Sequence, residues 1–574
     1  MAMHRRLPTK EATMQGLMMD VPLTIPLIVR HAEALHGRKV ITSRLPDRSV
    51  RHLTYAEVFD RSRRLAGALR QLGVQRGDRV ATFCWNHHQH VETYFAVPCI
   101  GAVVHTLNIR LAPDELVYIA NHAGDTVMIV DGVLLPVLAR FRDRLTGIRT
   151  VIVIDPPDGL PADAIDYEAF IAGGDVDAFD DAIDENAAAA MCYTSGTTGR
   201  PKGVVYSHRS QLLHTLAVNQ ATCLGLLERD TAMPVVPMFH ANAWGVPYAA
   251  AFAGANQVHA GPYLDPRSLL ELMAAERVTR AMGVPTIWMG ILQELDRDPH
   301  RYDLSALQDA MIGGAAVPQS LIEAFESRHG IKVIQGWGMT ELSPVGSLST
   351  LTSELENQPA STQYAYRARA GRPLPLIEVR VRDESGVRPW DDMGMAELEV
   401  RGPFVVGNYY NAPEAADRFT ADGWFRTGDI ASIDGRGYIA IRDRSKDVIK
   451  SGGEWISSVA LENAIMGMPS VAEAAVVGLS HPRWDERPLA VVVAHRGREG
   501  ECSTEAVRAH LAKQFPKWWL PDAVVIVDAI PKTSVGKFQK SAIRERYRDF
   551  FAASDGTSPF ALPSPPTAQA AAES

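Results

Sequence analysis

The sequence predicts an α/β protein with a large N-terminal domain of parallel α/β subdomains, a small β-rich subdomain, and a small α+β C-terminal domain. Three observations carry that prediction. Helical and strand-like stretches alternate through residues 24–140, the pattern of parallel strands joined by helices. Residues 371–430 hold many short β-like pieces broken by Gly and Pro. A dense charge run at 442–455 then interrupts the chain, and an α/β pattern restarts at Ser458. The chain's 574 residues exceed one ordinary core, so two or more domains are expected.

Taken in order, residues 55–72 place Val58, Leu65, Leu69 and Leu72 at helical spacing. Residues 78–84, D-R-V-A-T-F-C, read as a buried strand, and a helix around 91–100 with a strand at 102–106 repeats the unit. Further strands are expected at 127–130 and 151–154, where core packing alone explains the residues. Residues 187–192, A-A-A-A-M-C, fit a short buried strand or the end of a helix. A helix is expected at 208–224, and the prolines of 234–245 exclude a regular central strand there. Strands are expected at 377–381 and 396–400 in the β-rich part. The C-terminal part shows helices near 459–466 and 504–513 and strands at 474–477, 489–493 and 523–527.

Composition bounds the function. A net charge of −9 argues against a general nucleic-acid binder. Five cysteines lie scattered without C-x-x-C spacing, which suggests neither a zinc site nor a disulfide framework and fits a reducing cytoplasm. No run of about 18 apolar residues predicts a transmembrane helix. The basic N-terminus lacks the apolar segment of a secretory signal, and the Pro/Ser/Ala-rich residues 556–574 read as a disordered tail.

The chemistry concentrates in Y-T-S-G-T-T-G-R-P-K-G at 193–203. Thr194, Ser195, Thr197 and Thr198 surround Gly196 and Gly199, and Lys202 closes the loop. Backbone N–H groups, hydroxyls and one ammonium on such a loop seat phosphate oxygens. The NTPase P-loop spacing, G-x-x-x-x-G-K-S/T, is absent. At 234–245, Phe239, His240, Asn242 and Trp244 make an odd mixture for a plain core segment. Gly313, Gly314 and Ala315 follow an apolar strand, as either a tight turn or a flat surface for a planar ligand. Gln335, Gly336, Trp337, Gly338, Met339, Thr340 and Glu341 come next. Trp337 between two glycines reads as an exposed aromatic able to stack on a purine, and Thr340 can bond a phosphate. Glu341 suits a hard cation such as Mg²⁺ that bridges nucleotide phosphates. Asp429 closes W-F-R-T-G-D; an Asp after Gly is usually a turn, though a carboxylate can accept from both hydroxyls of a ribose diol.

These strings resemble, in family order, the motifs of the adenylate-forming superfamily, which holds acyl-CoA synthetases, luciferases and peptide-synthetase adenylation domains. The ordered set spans about residues 190–540. It departs at Trp337, where the family usually carries Tyr; the larger ring keeps the stacking face. The resemblance implies an acid–thiol ligase using ATP, Mg²⁺ and coenzyme A with a small-molecule carboxylic acid. It implies that Lys537, in P-K-T-S-V-G-K, is the catalytic lysine, working with Thr340 and Glu341. Thr194 and Glu341 are the Mg²⁺ ligands it suggests, Asp429 is the ribose ligand it implies, and Arg444, Lys446 and Lys450 lie at positions near the nucleotide. Gly452, Gly453 and Trp455 match the loop along which CoA lies. His240, Ala241 and Trp244 fall on the acyl pocket, Trp244 where long-chain synthetases carry a gating aromatic.

The same resemblance divides the chain at 1–442, a hinge at 443–448, a mobile C-terminal domain at 449–555 and the tail. Amino-acid-activating relatives place an acidic residue after the pocket Phe; here Phe239 precedes His240, so an amino acid is disfavoured. Medium- or long-chain fatty acids are the first expectation, a short thioether acid such as 3-methylthiopropionate the rival, and an aryl acid third. Oligomeric state is not readable from the residues; fatty-acyl members are often homodimers.

Overall fold

The computed structural model describes residues 16–156, 159–194, 200–452, 454–533 and 537–551. Two large sheets form the N-terminal body. One has seven strands in the spatial order Ala164–Asp166, Thr150–Ile154, Asp125–Asp131, Arg79–Phe83, Val103–Thr106, Ala188–Tyr193 and Gly203–Ser207. All its pairs are parallel except the last. The other has nine strands, parallel from Lys332–Gly338 inward to Val40–Arg44 and antiparallel at both edges. Parallel strands buried on both faces need apolar runs, which is why V-I-V-I at 151–154 and A-M-I at 310–312 were readable.

Local signals hold the connecting helices. The helix Tyr55–Gln71 opens with a reciprocal cap, in which Thr54 Oγ1 accepts from Glu57 N–H and the Glu57 carboxylate takes the Thr54 N–H. Its buried face carries Tyr55, Val58, Phe59, Leu65 and Leu69. Gly174 lets residues 173–175 cross this helix closely; a Cβ there would stand 1.8 Å from the Arg64 carbonyl oxygen.

Several elements differ from the sequence expectation. The helix begun at His208 ends at Val218, because Asn219 and the residues after it turn back toward the core. Pro234 does end a central strand, Thr231–Pro234, sitting last where no further ladder donor is needed. The β-rich part extends past 430. Its five-stranded antiparallel sheet uses Glu378–Asp383, Gly386–Val387, Ala396–Arg401, Phe425–Ile433 and Ile439–Arg444. The ambiguous run at 187–192 is a strand, Ala188–Tyr193.

A separate five-stranded sheet begins at Ile449. Its centre is the long hairpin Val471–His481 and Asp485–Ala494, joined by the parallel strand Ala523–Ile526 and covered by the helices Ser458–Met466 and Thr504–Leu511. This sheet has its own core, including Ile449, Leu461, Val476 and Val492. No helix among the described residues is long and apolar enough to cross a membrane.

Candidate active site

The singled-out residues gather at the carboxyl ends of strands, where open parallel sheets present their loops. Tyr193–Thr194 leaves one sheet; Gly313–Gly314 and Trp337–Gly338 leave the other.

Thr194 closes the base of the central loop. Its N–H donates to the Lys202 carbonyl at 3.0 Å, and its Oγ1 accepts from the Lys202 N–H at 3.1 Å. Tyr193 packs its hydroxyl against His122 Nδ1 at 2.7 Å, fixing the strand end. Ser195, Gly196, Thr197, Thr198 and Gly199 lie outside the described residues, as does Gly453. The Lys202 ammonium lies 5.7 Å from the centroid of the Tyr409 ring. The Tyr409 hydroxyl in turn donates to Glu341 Oε1 at 2.6 Å. The Val406 N–H holds the Glu341 carbonyl at 2.7 Å, and the Tyr206 hydroxyl donates to the Thr340 carbonyl at 2.7 Å. Thr340 and Glu341 are both buried. Tyr206 and Tyr409 thus hold the T-E turn, and Tyr409 also lies beside Lys202 at the base of the 193–203 segment.

Trp337 is half-buried rather than exposed. Its ring presses on Gly346, where a Cβ would come within 2.6 Å, and its Nε1–H donates to Asp429 Oδ2 at 2.9 Å. The other oxygen of Asp429 lies 2.7 Å from Arg444 Nε, across paired strands. Asp429 is 1% exposed, and Trp337 and Arg444 engage its two oxygens. Gln335 does a structural job: its Oε1 accepts the Val317 N–H at 2.9 Å and holds the Gly314–Ala315 loop in place. Gly314 has φ +88°, and Gly336 must be small because a Cβ there would meet Met311 at 2.8 Å.

The pocket stretch holds the least ordinary backbone. Ala241, Asn242, Ala243 and Trp244 take φ of 44°, 53°, 48° and 58°, a left-handed turn with no glycine until Gly245. Each such residue costs about 1–2 kcal/mol over a right-handed conformation, a strain typical of functional sites. Its effect is to swing the Trp244 indole over Gly313 and Gly314, 3.2 Å and 4.0 Å from where their Cβ atoms would stand. Cys192 and Tyr94 both hydrogen-bond Asn242 Oδ1 beneath the turn. Neither the strain nor these partners leave a period or motif in the sequence.

Lys537 reaches this cleft from the C-terminal sheet. Its Cε lies 4.0 Å from the Cβ position of Gly314, and its ammonium feels Arg444, Asp429, Glu341 and Lys446. Burial first, then Arg444, pushes its pKa down to about 8, against the pull of Asp429 and Glu341. Burial, Lys537 and Arg110 push His240 down to about 4, so its imidazole is neutral. Desolvation, with Arg444, Arg544 and Lys540 nearby, lowers the Lys446 pKa against the pull of Asp447. Lys450 and Trp455 face each other across the hairpin of Ile449–Ser451 and Glu454–Ile456. Gly452 sits at that hairpin's turn with its Cβ position 3.0 Å from the Trp484 ring.

Outside the cleft, Cys84, His87 and Asp131 bring one ligand atom each within 4.8 Å of one another. Scattered cysteine spacing gave no hint of that meeting. The His87 and Trp85 N–H groups occupy both Asp131 oxygens, and the trio fastens a strand end to the helix His88–Ala96.

Comparison with known proteins agrees with this geometry. The profile described as AMP-binding enzyme matches residues 29–410, and that described as AMP-binding enzyme C-terminal domain matches residues 460–537. A Thermus thermophilus protein named long-chain-fatty-acid–CoA ligase is 49% identical over 538 residues, 93% of this chain and 97% of the relative. A Ruegeria pomeroyi protein named 3-methylmercaptopropionyl-CoA ligase is 43% identical over 542 residues, 93% of this chain and 99% of the relative. The crystal structure of ATP-bound MatB from Rhodopseudomonas palustris superposes with a TM-score of 0.78 at 28% identity, over 92% of this chain and all of that one.

Proposed function

The chain belongs to the AMP-binding enzymes, and from that premise we propose that it joins a medium- or long-chain fatty acid to coenzyme A through an acyl-adenylate, releasing AMP and pyrophosphate. The observation that carries the mechanism is the position of Lys537. It comes from the C-terminal sheet into a cleft lined by Gly314, Glu341, Asp429 and His240.

A carboxylate is a weak nucleophile and must approach an anionic triphosphate. Rate then comes from fixed donors and cations placed where charge develops. In this reading the Thr194–Lys202 loop seats the phosphates, Trp337 stacks the adenine and Asp429 receives the ribose diol. Lys537 donates from its ammonium to the attacking carboxylate and the α-phosphate oxygens. Neutral His240 adds no positive charge that would hold the carboxylate back in the acyl pocket.

Glu341 fits a Mg²⁺ site by donor chemistry: Tyr409 takes Oε1 and orients the carboxylate, which leaves Oε2 for a hard cation. Mg²⁺ held by Glu341 and Thr194 would neutralise triphosphate charge. In the second half-reaction CoA thiolate attacks the acyl carbonyl carbon and AMP leaves, with Gly452, Gly453 and Trp455 beside the CoA. Lys537 serves the first step from the C-terminal part, so in this reading residues 449–555 act as a C-terminal domain that swings on 443–448 between the steps. The strand pairing of Asp443 and Arg444 with Ile430 and Asp429 supports bending in the later part of 443–448.

The acid is a fatty acid by the pocket stretch V-P-M-F-H-A-N-A-W-G and by the Thermus relative's name. The Ruegeria relative, nearly as similar, favours a short thioether acid as the second reading. AMP release with ATP, Mg²⁺ and CoA, measured from acetate to palmitate with 3-methylthiopropionate and benzoate alongside, decides between them. An optimum at medium or long chains, where each methylene in an apolar pocket is worth about 1–3 kcal/mol, supports the fatty-acyl reading. A peak at 3-methylthiopropionate replaces it with the short-acid one.

A further inference from the structure

The strand Ile439–Arg444 presents two adjacent residues in two directions. Arg444 turns to Asp429 in the cleft. Asp443 turns the other way, to the helix Ser458–Met466, and is 1% exposed. Its Oδ2 accepts both the N–H and the hydroxyl of Ser458, each at 2.6 Å. Ser458 Oγ also accepts from the Lys540 ammonium at 2.6 Å. That ammonium lies 2.8 Å from Glu462 Oε1, which in turn accepts the Val476 N–H. Three buried polar groups, Asp443, Ser458 and Glu462, therefore connect the strand that carries Arg444 to half-buried Lys540, three residues beyond Lys537.

The chain of contacts is not uniform. Asp443 is fixed to the N-terminal body, through its register with Ile430. Ser458, Glu462 and Lys540 all belong to the C-terminal sheet and its covering helices. Rotation of that sheet as a unit leaves the Lys540–Glu462 pair intact and neutral, and breaks the links to Asp443 together with the Ser457 hydroxyl's bond to the Arg442 carbonyl. Burial pushes the Asp443 carboxyl up, while Lys540 and the two Ser458 donors oppose that shift. Those donors stabilise its charged form only while the two bodies are docked.

We propose that Asp443 is a positioning residue whose links to Ser458 and Lys540 latch the C-terminal domain in the orientation that delivers Lys537, and that this latch opens before CoA is acylated. The inference rests on the two-step reading above. Asp443 touches no substrate in it and acts through Ser458 and Lys540.

The test separates the two half-reactions in the full-length protein, using the best acid of the panel. Adenylation is read as ATP–pyrophosphate exchange, and thioester formation as acylation of CoA from synthetic acyl-adenylate. Asp443→Ala removes a charged, buried acceptor and should slow exchange by roughly ten- to a hundredfold. CoA acylation should stay within about twofold of wild type or rise, because the latch must open there anyway. Asp443→Asn keeps an acceptor for the Ser458 N–H and should fall between. Ser458→Ala, a smaller deletion, should shift the two rates in the same direction and decides the matter if Asp443→Ala does not fold. Equal loss in both half-reactions, or undiminished exchange, overturns the latch alone. Absence of exchange from the wild-type chain overturns the two-step reading and the latch with it.

Discussion

The indole Nε1 of Trp337 donates to Oδ2 of Asp429 at 2.9 Å, while Arg444 holds the opposite oxygen. Under the proposed role of Asp429 as ribose acceptor, a bound ribose diol exchanges bonds with the indole. Trp337→Phe keeps a stacking face and removes only the exchanged bond. Its KM for ATP should therefore stay within about threefold of wild type, since the net worth of one hydrogen bond is small. Asp429→Ala removes the acceptor itself and should raise that KM by roughly tenfold or more. Steady-state kinetics at saturating acid and CoA check both. A Trp337→Phe loss as large as that of Asp429→Ala would contradict the exchange.

Adenylation should fail on the alkaline side. In the proposed role Lys537 must be an ammonium to bridge two anions, and its pKa is pushed down to about 8. It is charged below that value and loses its proton above it. The kcat/KM for ATP–pyrophosphate exchange reports the free enzyme and should fall about tenfold per pH unit well above 8. Lys537→Arg stays charged throughout and should be slower but flat over the same range. An unchanged alkaline limb in that variant would assign the limb to another group.

Trp455 should matter to one half-reaction only. It is 37% exposed on the C-terminal hairpin, opposite Lys450. Trp455→Ala should raise the KM for CoA by roughly tenfold, the scale of a lost aromatic contact, and leave pyrophosphate exchange unchanged. Equal loss in both measurements would remove Trp455 from the CoA path.

Buried histidines set an acid limit on the fold. Burial pushes His90, His214 and His259 down to about 3. Unfolded, they take protons near pH 6.5. Their contribution is complete above that pH and is lost progressively as pH falls toward 3. Thermal unfolding should show a Tm drop on the order of 5 °C between pH 7.5 and 5.5, from on the order of 1 kcal/mol per histidine. His214→Gln, which cannot take that proton, should reduce the slope. A Tm independent of pH over this range would contradict the assignment.

The sequence made the α/β body and most motif positions legible because both write themselves locally. Parallel buried strands demand apolar runs such as 151–154, and loops around ligands demand glycines such as Gly314. What stayed hidden depends on meetings between distant segments. Tyr409 supports Glu341, yet N-Y-Y-N carries no period or spacing that signals it. Asp443 reads as one charge in a charged run, and only the fold shows it buried against Ser458. Trp337 was expected in the open because glycines flank it, but Gly346 and Asp429 close over it from other strands. The left-handed turn at 241–244 runs against local preference at Ala241, Ala243 and Trp244, which Asn242 alone tolerates readily.

The most direct test of the two-step account is Lys537→Ala assayed in both half-reactions. ATP–pyrophosphate exchange should fall by roughly a thousandfold or more, the scale of a lost charge at a phosphoryl transition state. CoA acylation from supplied acyl-adenylate should stay within about threefold of wild type. Loss of both half-reactions, or retention of exchange, would contradict the account.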